Sequence, residues 1–145
     1  MQLNRYTDYG LRLLTYLAVL PDGQKVSIDE ISKIYDLSRN HINKIVHQLG
    51  KEGIIETKRG KGGGFYLSRT PESLNLADIV ILLESSMEII NCTSPSCRIS
   101  PVCNLNSILS EATTAFIDSL KQYTLADLIK DNRQQLIQVL EIGSF

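Results

Sequence analysis

The stretch Ser38-Arg39-Asn40-His41-Ile42-Asn43-Lys44-Ile45-Val46-His47-Gln48-Leu49 decides the fold. Ile42, Ile45, Val46 and Leu49 fall at i, i+3, i+4 and i+7, so they make one apolar stripe along a helix. Everything off that stripe is polar, from Arg39 through Gln48 and on to Lys51. Such a helix buries one narrow face and offers the other to solvent or to a partner. Just before it, Asp36-Leu37-Ser38 forms a short turn in which Leu37 can plug inward and Ser38 can cap the helix. A short helix is predicted upstream, after Ser27, with Ile28, Ile31 and Ile34 spaced to face a core.

Downstream, Gly53 closes the helix and two strands are predicted, Ile54 to Lys58 and Phe65 to Ser68. Between them lies Arg59-Gly60-Lys61-Gly62-Gly63-Gly64, a flexible basic hairpin tip. At the front of the chain a helix is expected from about Thr7, which can cap it, with Asp8 in the positive first turn; Pro21-Asp22-Gly23 ends it. Helix, helix-turn-helix and hairpin in this order make a winged helix-turn-helix, so the fold class is mainly α with a small β-hairpin wing. Residues 1–70 are assigned to it as a DNA-binding domain.

Residues 71–145 read as a cluster-binding loop and a helical dimerisation region. A helix is expected near Leu76–Glu84, then a polar loop from about Asn91 to Cys103, then a longer helix over roughly Leu105 to Gln122. In that last helix Leu105, Ile108, Leu109, Ala112, Phe116 and Leu120 form a stripe at three-and-four spacing. A small domain has little of its own chain to bury such a stripe, so the economical partner is the same helix of a second copy.

Charge supports the division. The net charge is -1 over 145 residues, yet residues 1–69 carry eleven Lys and Arg against seven acids, and residues 70–145 four against nine. A basic front and an acidic back would present one face to phosphate and turn the other away. Within the front half, Arg39, Asn40 and Asn43 stand in the turns of the third helix that point at base edges in this docking geometry. Ser38 and His41 accompany them, while Lys44, Lys58, Arg59 and Lys61 suit phosphate contacts that give register and salt-sensitive affinity. The expected partner is double-stranded operator DNA. The glycine-rich tip is no nucleotide loop, because it joins two strands and lacks the GxxxxGK[ST] and GxGxxG patterns.

No targeting segment is evident, and the longest apolar run, Ile79 to Leu83, is too short to span a bilayer. A cytoplasmic location with no membrane partner is expected. Thiols stay reduced there, so Cys92, Cys97 and Cys103 read as ligands or redox groups rather than a disulfide framework. Structural zinc usually shows tightly paired cysteines and four ligands, and that pairing is absent. Soft thiolates without tight pairs suit an iron–sulfur cluster, either [4Fe-4S] or [2Fe-2S]; zinc, and thiols that are inert or merely redox-active, are the alternatives. Three cysteines leave a position for a carboxylate, a water or a partner residue. A thiol enzyme would need a base beside its nucleophile. Both histidines, His41 and His47, lie in the third helix, so no enzymatic activity is expected.

Several stretches together carry a family likeness. They are Met1-Gln2-Leu3 with Thr7-Asp8-Tyr9-Gly10-Leu11-Arg12, Ser38-Arg39-Asn40-His41 with Lys44-Ile45 and Gln48-Leu49, Arg59-Gly60-Lys61 with Gly63-Gly64, the cysteine trio, and Tyr123-Thr124-Leu125-Ala126-Asp127-Leu128. Through them the chain resembles, nearly end to end, the NsrR family of nitric-oxide-sensing repressors, in the winged-helix group that also contains the cluster-homeostasis regulator IscR. The resemblance implies a cytoplasmic homodimer that represses transcription while its cluster is intact, with nitric oxide as the signal. It also implies that Asp8 reaches across the dimer as the non-cysteine ligand; spacing alone makes Asp8 a helix N-terminal charge. The IscR branch carries a histidine three residues beyond the last cysteine, where this chain has Asn106. A regulator of iron or cluster supply, with the same architecture, is the alternative function.

Overall fold

A computed structural model describes residues 1–143. Helix α1 runs over Arg5–Val19, α2 over Ile28–Tyr35 and α3 over Arg39–Lys51; strands β1, Ile55–Lys58, and β2, Gly64–Leu67, follow. Then come α4, Leu76–Leu83, α5, Leu105–Leu120, and α6, Arg133–Val139. None of the helices among the described residues is long and apolar enough to cross a membrane.

The stripe of α3 does what its spacing predicts: Ile42, Ile45, Val46 and Leu49 are all buried. They share one hydrophobic cluster with Leu13, Leu14 and Leu17 of α1, Ile31 of α2, and Ile79 and Leu83 of α4. Gly10 allows α4 to come close, since a Cβ there would lie 2.5 Å from Leu83 Cδ1. The turn before α3 is held by Asp36 in the left-handed region, φ 52°, a conformation Asp tolerates better than most residues. Ser32 closes it by donating its hydroxyl to the Leu37 carbonyl at 2.6 Å. Ser27 caps α2, accepting the Glu30 N–H at 3.1 Å.

Two caps differ from the sequence expectation. Helix α1 begins before Thr7, because Asn4 is its N-cap and accepts the Thr7 N–H at 2.7 Å. Thr7 lies inside the helix, and its hydroxyl is buried without a partner. Asn ranks among the best N-cap residues, above Thr, and it sits three residues earlier. Ser38 occupies the N-cap position of α3, but its side chain makes no capping bond.

The hairpin is antiparallel, with Ile55 opposite Leu67 and Lys58 opposite Gly64. A third piece of chain joins it: Val26 and Phe65 exchange two backbone bonds of 2.9 Å each. That bridge docks the wing onto the segment ahead of α2, and Phe65 plugs the core beneath it.

Beyond residue 70 the chain returns to the same core. Leu125 N–H donates to the Leu74 carbonyl at 2.8 Å, and Leu76 N–H to the Tyr123 carbonyl at 3.0 Å. A capping box between Thr124 and Asp127 starts the short 3-10 turn that carries the buried Leu125. Helix α6 was not anticipated; at its start Arg133 donates to the Val19 carbonyl at 2.7 Å, satisfying the open end of α1. Helix α5 stands apart. It has no buried residue, and Leu105 and Ile108 are 52% and 59% exposed.

Gly64 tests how the wing is anchored. Its φ is 149°, and a Cβ there would sit 2.6 Å from the Val26 carbonyl oxygen, a backbone atom that cannot step aside. Gly64→Ala should therefore destabilise the fold by about 1–3 kcal/mol and speed exchange of the Val26 and Phe65 amides. Urea unfolding and amide exchange check it; unchanged protection of both amides would refute this account of the wing.

Candidate nucleic-acid interface and cysteine loop

Burying the α3 stripe turns the opposite side of the helix outward. Arg39, Asn40, His41, Asn43, Lys44, His47 and Lys51 are all exposed, as are Ser38 before them and Lys58, Arg59 and Lys61 on the wing. An open cleft runs between α3 and the wing, and Arg39, Asn43, His47, Lys51, Lys58 and Arg59 line it together. Asn40, His41, Lys44 and Lys61 lie outside that lining. The Tyr9 ring of α1 lies 5.9 Å from the His41 ring, at a tilt of 40°.

Two carboxylates share the cleft. Asp29 pairs with Arg39 at 3.1 Å, and Glu56 with Lys58 at 2.7 Å. The hydrogen bond from Lys58 holds the Glu56 carboxyl below the usual carboxylate range, with a second from Tyr66, and Glu56 raises Lys58 in return. Both pairs are well exposed, and surface pairs of this kind are weak. Each cation is therefore held by a partner that another anion can replace. Sequence patterning did not single out Asp29 or Glu56.

Asp8 faces a different environment. Arg12 grips it in a fork, Nε to Oδ1 and Nη2 to Oδ2, both at 2.9 Å. The same guanidinium sits 5.8 Å from the Tyr9 ring centroid. Within one chain Asp8 is thus the partner of Arg12, and any further ligand for it must share or displace that cation.

The cysteines lie between α4 and α5 on a segment that contributes no residue to the hydrophobic cluster. Asn91 organises its start, its Oδ1 accepting from Thr93 N and Oγ1 and from Ser94 N at 2.9–3.0 Å. The Cys97 N–H donates to the Cys92 carbonyl at 3.1 Å, and the Ser100 N–H to the Cys97 carbonyl at 3.2 Å. All three thiols are free; Cys92 and Cys103 are half-buried and Cys97 is exposed. Among the described residues no group of three metal-ligating side chains converges on one point. The donor set nevertheless fits an iron–sulfur centre. It consists of three unpaired thiols, and the Leu105 N–H at the start of α5 already donates to Cys103 Sγ at 3.4 Å. Hydrogen bonds to sulfur are a usual feature of cluster-bound thiolates.

Sequence patterning also missed a polar ring behind α3. Gln48 stands in the off-stripe set, but it lies half-buried three residues after Ile45, at the edge of the stripe. Its Oε1 accepts from Tyr6 Oη at 2.6 Å, and its Nε2 donates to the Leu82 carbonyl at 3.1 Å. Asn4 donates its N–H and Nδ2 to the Glu84 carboxylate at 2.7 and 2.9 Å. The only hint in the sequence is that position, at the margin of an apolar stripe.

A family model described as "Iron-dependent Transcriptional regulator", Rrf2, matches residues 3–131. Among solved structures, CymR, the global cysteine regulator of B. subtilis, is similar with a TM-score of 0.70 and 22% identity, over 90% of this chain and 97% of that one. IscR of T. potens is similar with a TM-score of 0.71 and 24% identity, over 93% and 90%. CymR of Staphylococcus aureus gives 0.67 and 26%, over 86% and 95%. The two first likenesses establish the fold, with its helices and small antiparallel wing. The family match, spanning most of the chain, points to regulators of transcription and not to enzymes: this chain belongs to the Rrf2 family of transcriptional regulators.

Proposed function

We propose that the chain is a homodimeric, DNA-binding repressor whose operator affinity is set by an iron–sulfur cluster held by Cys92, Cys97 and Cys103, with nitric oxide as its signal. The observation that carries this reading is the placing of three free thiols on a loop outside the core of a fold that also presents a basic cleft. Arg39, Asn40 and Asn43 of α3 read base edges; Ser38, His41 and Lys44 flank them, and Lys58, Arg59 and Lys61 neutralise phosphates. The exposed Leu105 and Ile108 at the start of the α5 stripe support pairing with a second copy, which would set two reading helices about 34 Å apart for successive half-sites. Bound by these thiolates, a cluster supplies iron that nitric oxide can ligate. The fourth ligand is proposed to be Asp8 from across the dimer, which requires Arg12 to release it.

A second reading, a regulator of iron or cluster supply, draws on the iron-dependence in the family's description and on the likeness to IscR. Asn106, in place of a histidine three residues past Cys103, favours the first.

Cluster-loaded protein should bind operator about 5- to 150-fold differently from cluster-free protein, the range of ordinary allosteric coupling. Gel shifts at fixed salt measure it, and equal affinity in both forms would end the proposal. Loss of binding on stoichiometric titration with nitric oxide separates the first reading from the second. Arg39→Ala should cost about 1–3 kcal/mol and relax base preference at one position, whereas Lys61→Ala should weaken all sequences alike and lower the salt slope by about 1. Fluorescence anisotropy across salt concentrations distinguishes them. Ile108→Glu should shift the protein to monomer in sedimentation while its helix content stays, since Ile108 is 59% exposed within one chain.

A further inference from the structure

We infer that Gln48 is a positioning residue that ties the DNA-reading helix to the root of the cysteine loop, an inference that rests on the function proposed above. Gln48 lies on α3 one turn beyond Lys44, and its side chain points away from the exposed reading face into the junction of α1, α3 and α4. Both ends of its amide are used. The Nε2 donates to the carbonyl of Leu82, the penultimate residue of α4, which has no partner within its own helix. The Oε1 accepts from Tyr6 of α1, whose hydroxyl also lies 3.2 Å from the Lys44 carbonyl.

Two residues beyond Leu82, Glu84 ends α4 and clamps Asn4, the N-cap of α1, through two bonds. The segment that leaves α4 after Glu84 reaches the first thiol, Cys92, eight residues further on. Gln48 near the end of α3, Leu82 and Glu84 at the end of α4, and Asn4 and Tyr6 at the cap and first turn of α1 therefore close a ring that joins three helix termini. The apolar stripe fixes α3 against translation out of the core, but a stripe of aliphatic side chains is non-directional. Hydrogen bonds are directional, so the amide of Gln48 fixes the roll and tilt of α3 relative to the end of α4. A pull on the loop reaches Leu82 and Glu84 first, and through Gln48 it reaches the helix that carries Lys44 and Asn43. Gln48 acts through α3 and does not touch DNA.

The test uses the full metal-free chain, before and after its cysteines are alkylated with N-ethylmaleimide, read by amide hydrogen exchange. In the natural sequence alkylation should alter exchange over residues 44–51 by about 3-fold or more while α2 stays unchanged. In Gln48→Met, which keeps the volume and removes both bonds, the α3 response should vanish. Gln48→Glu keeps the acceptor for Tyr6 and removes the donor to Leu82, so it should also lose the response and serves if the Met variant unfolds. An α3 that ignores alkylation in the natural sequence, or responds equally in the variants, overturns the inference. Equal operator affinity with and without cluster would sink the proposed function yet leave this exchange result standing, so the two can fail separately.

Discussion

The burial of four aliphatic side chains, Ile42, Ile45, Val46 and Leu49, against α1 is the constraint on which the molecule depends. A helix with one narrow apolar stripe has a single orientation that removes it from water. Each such side chain contributes about 1.5–3 kcal/mol when fully buried. Once those four are inside, the polar residues of α3 have nowhere to go but out. The exposed polar face of α3 is thus a consequence of core packing, and the same packing aligns α3 with the wing, because Phe65 enters the core from the hairpin. The cleft between them follows without any contact made for its own sake.

Parts of the fold that are local in sequence were legible from it, and parts that depend on distant partners were not. The α3 stripe, the helix after Ser27 and the two strands around the glycine-rich tip all follow from neighbours a few residues apart. The α1 start was misplaced because Asn4 and Thr7 are both acceptable caps, and which one serves is settled by Glu84, eighty positions away, holding Asn4. The Val26–Phe65 bridge has the same character, since one residue pairing with a hairpin has no periodicity to read. Helix α6 and the Leu125 turn are short, and their burial comes from α1 and the segment before α4. At the candidate interface the bases were visible as charges, but Asp29 and Glu56 became meaningful only when the fold brought them beside Arg39 and Lys58.

The cysteine segment obeys different physics from the rest. It contributes nothing to the core, and the bonds within it are local turns. A segment of this kind takes its conformation from what it binds more than from the domain beneath it, because few buried contacts oppose its rearrangement. Three thiols that stand apart in the lone chain are therefore compatible with three thiolates meeting at one centre. The cost of gathering them is the ordering of a loop, not the disruption of packing. The exposed Leu105 and Ile108 of α5 follow within five residues of Cys103, so the thiols stand next to a face that a second copy would cover.

Magnitudes decide how such a loop could influence the reading helix. A useful coupling is about 1–3 kcal/mol. Repacking the α3 stripe would involve several buried side chains at once and far exceed that range, besides threatening a fold whose total stability is about 5–15 kcal/mol. One or two hydrogen bonds contribute about 0.5–1.5 kcal/mol each, which matches. The bonds at Gln48 and Glu84 join α3 and α1 to the end of α4, from which the chain runs on towards the cysteines. Exposed pairs such as Arg39 with Asp29 are weak enough to yield to a phosphate and so cannot transmit a signal of this size. The core fixes where α3 is, and the half-buried polar ring adds directional bonds of that strength between α3 and the end of α4.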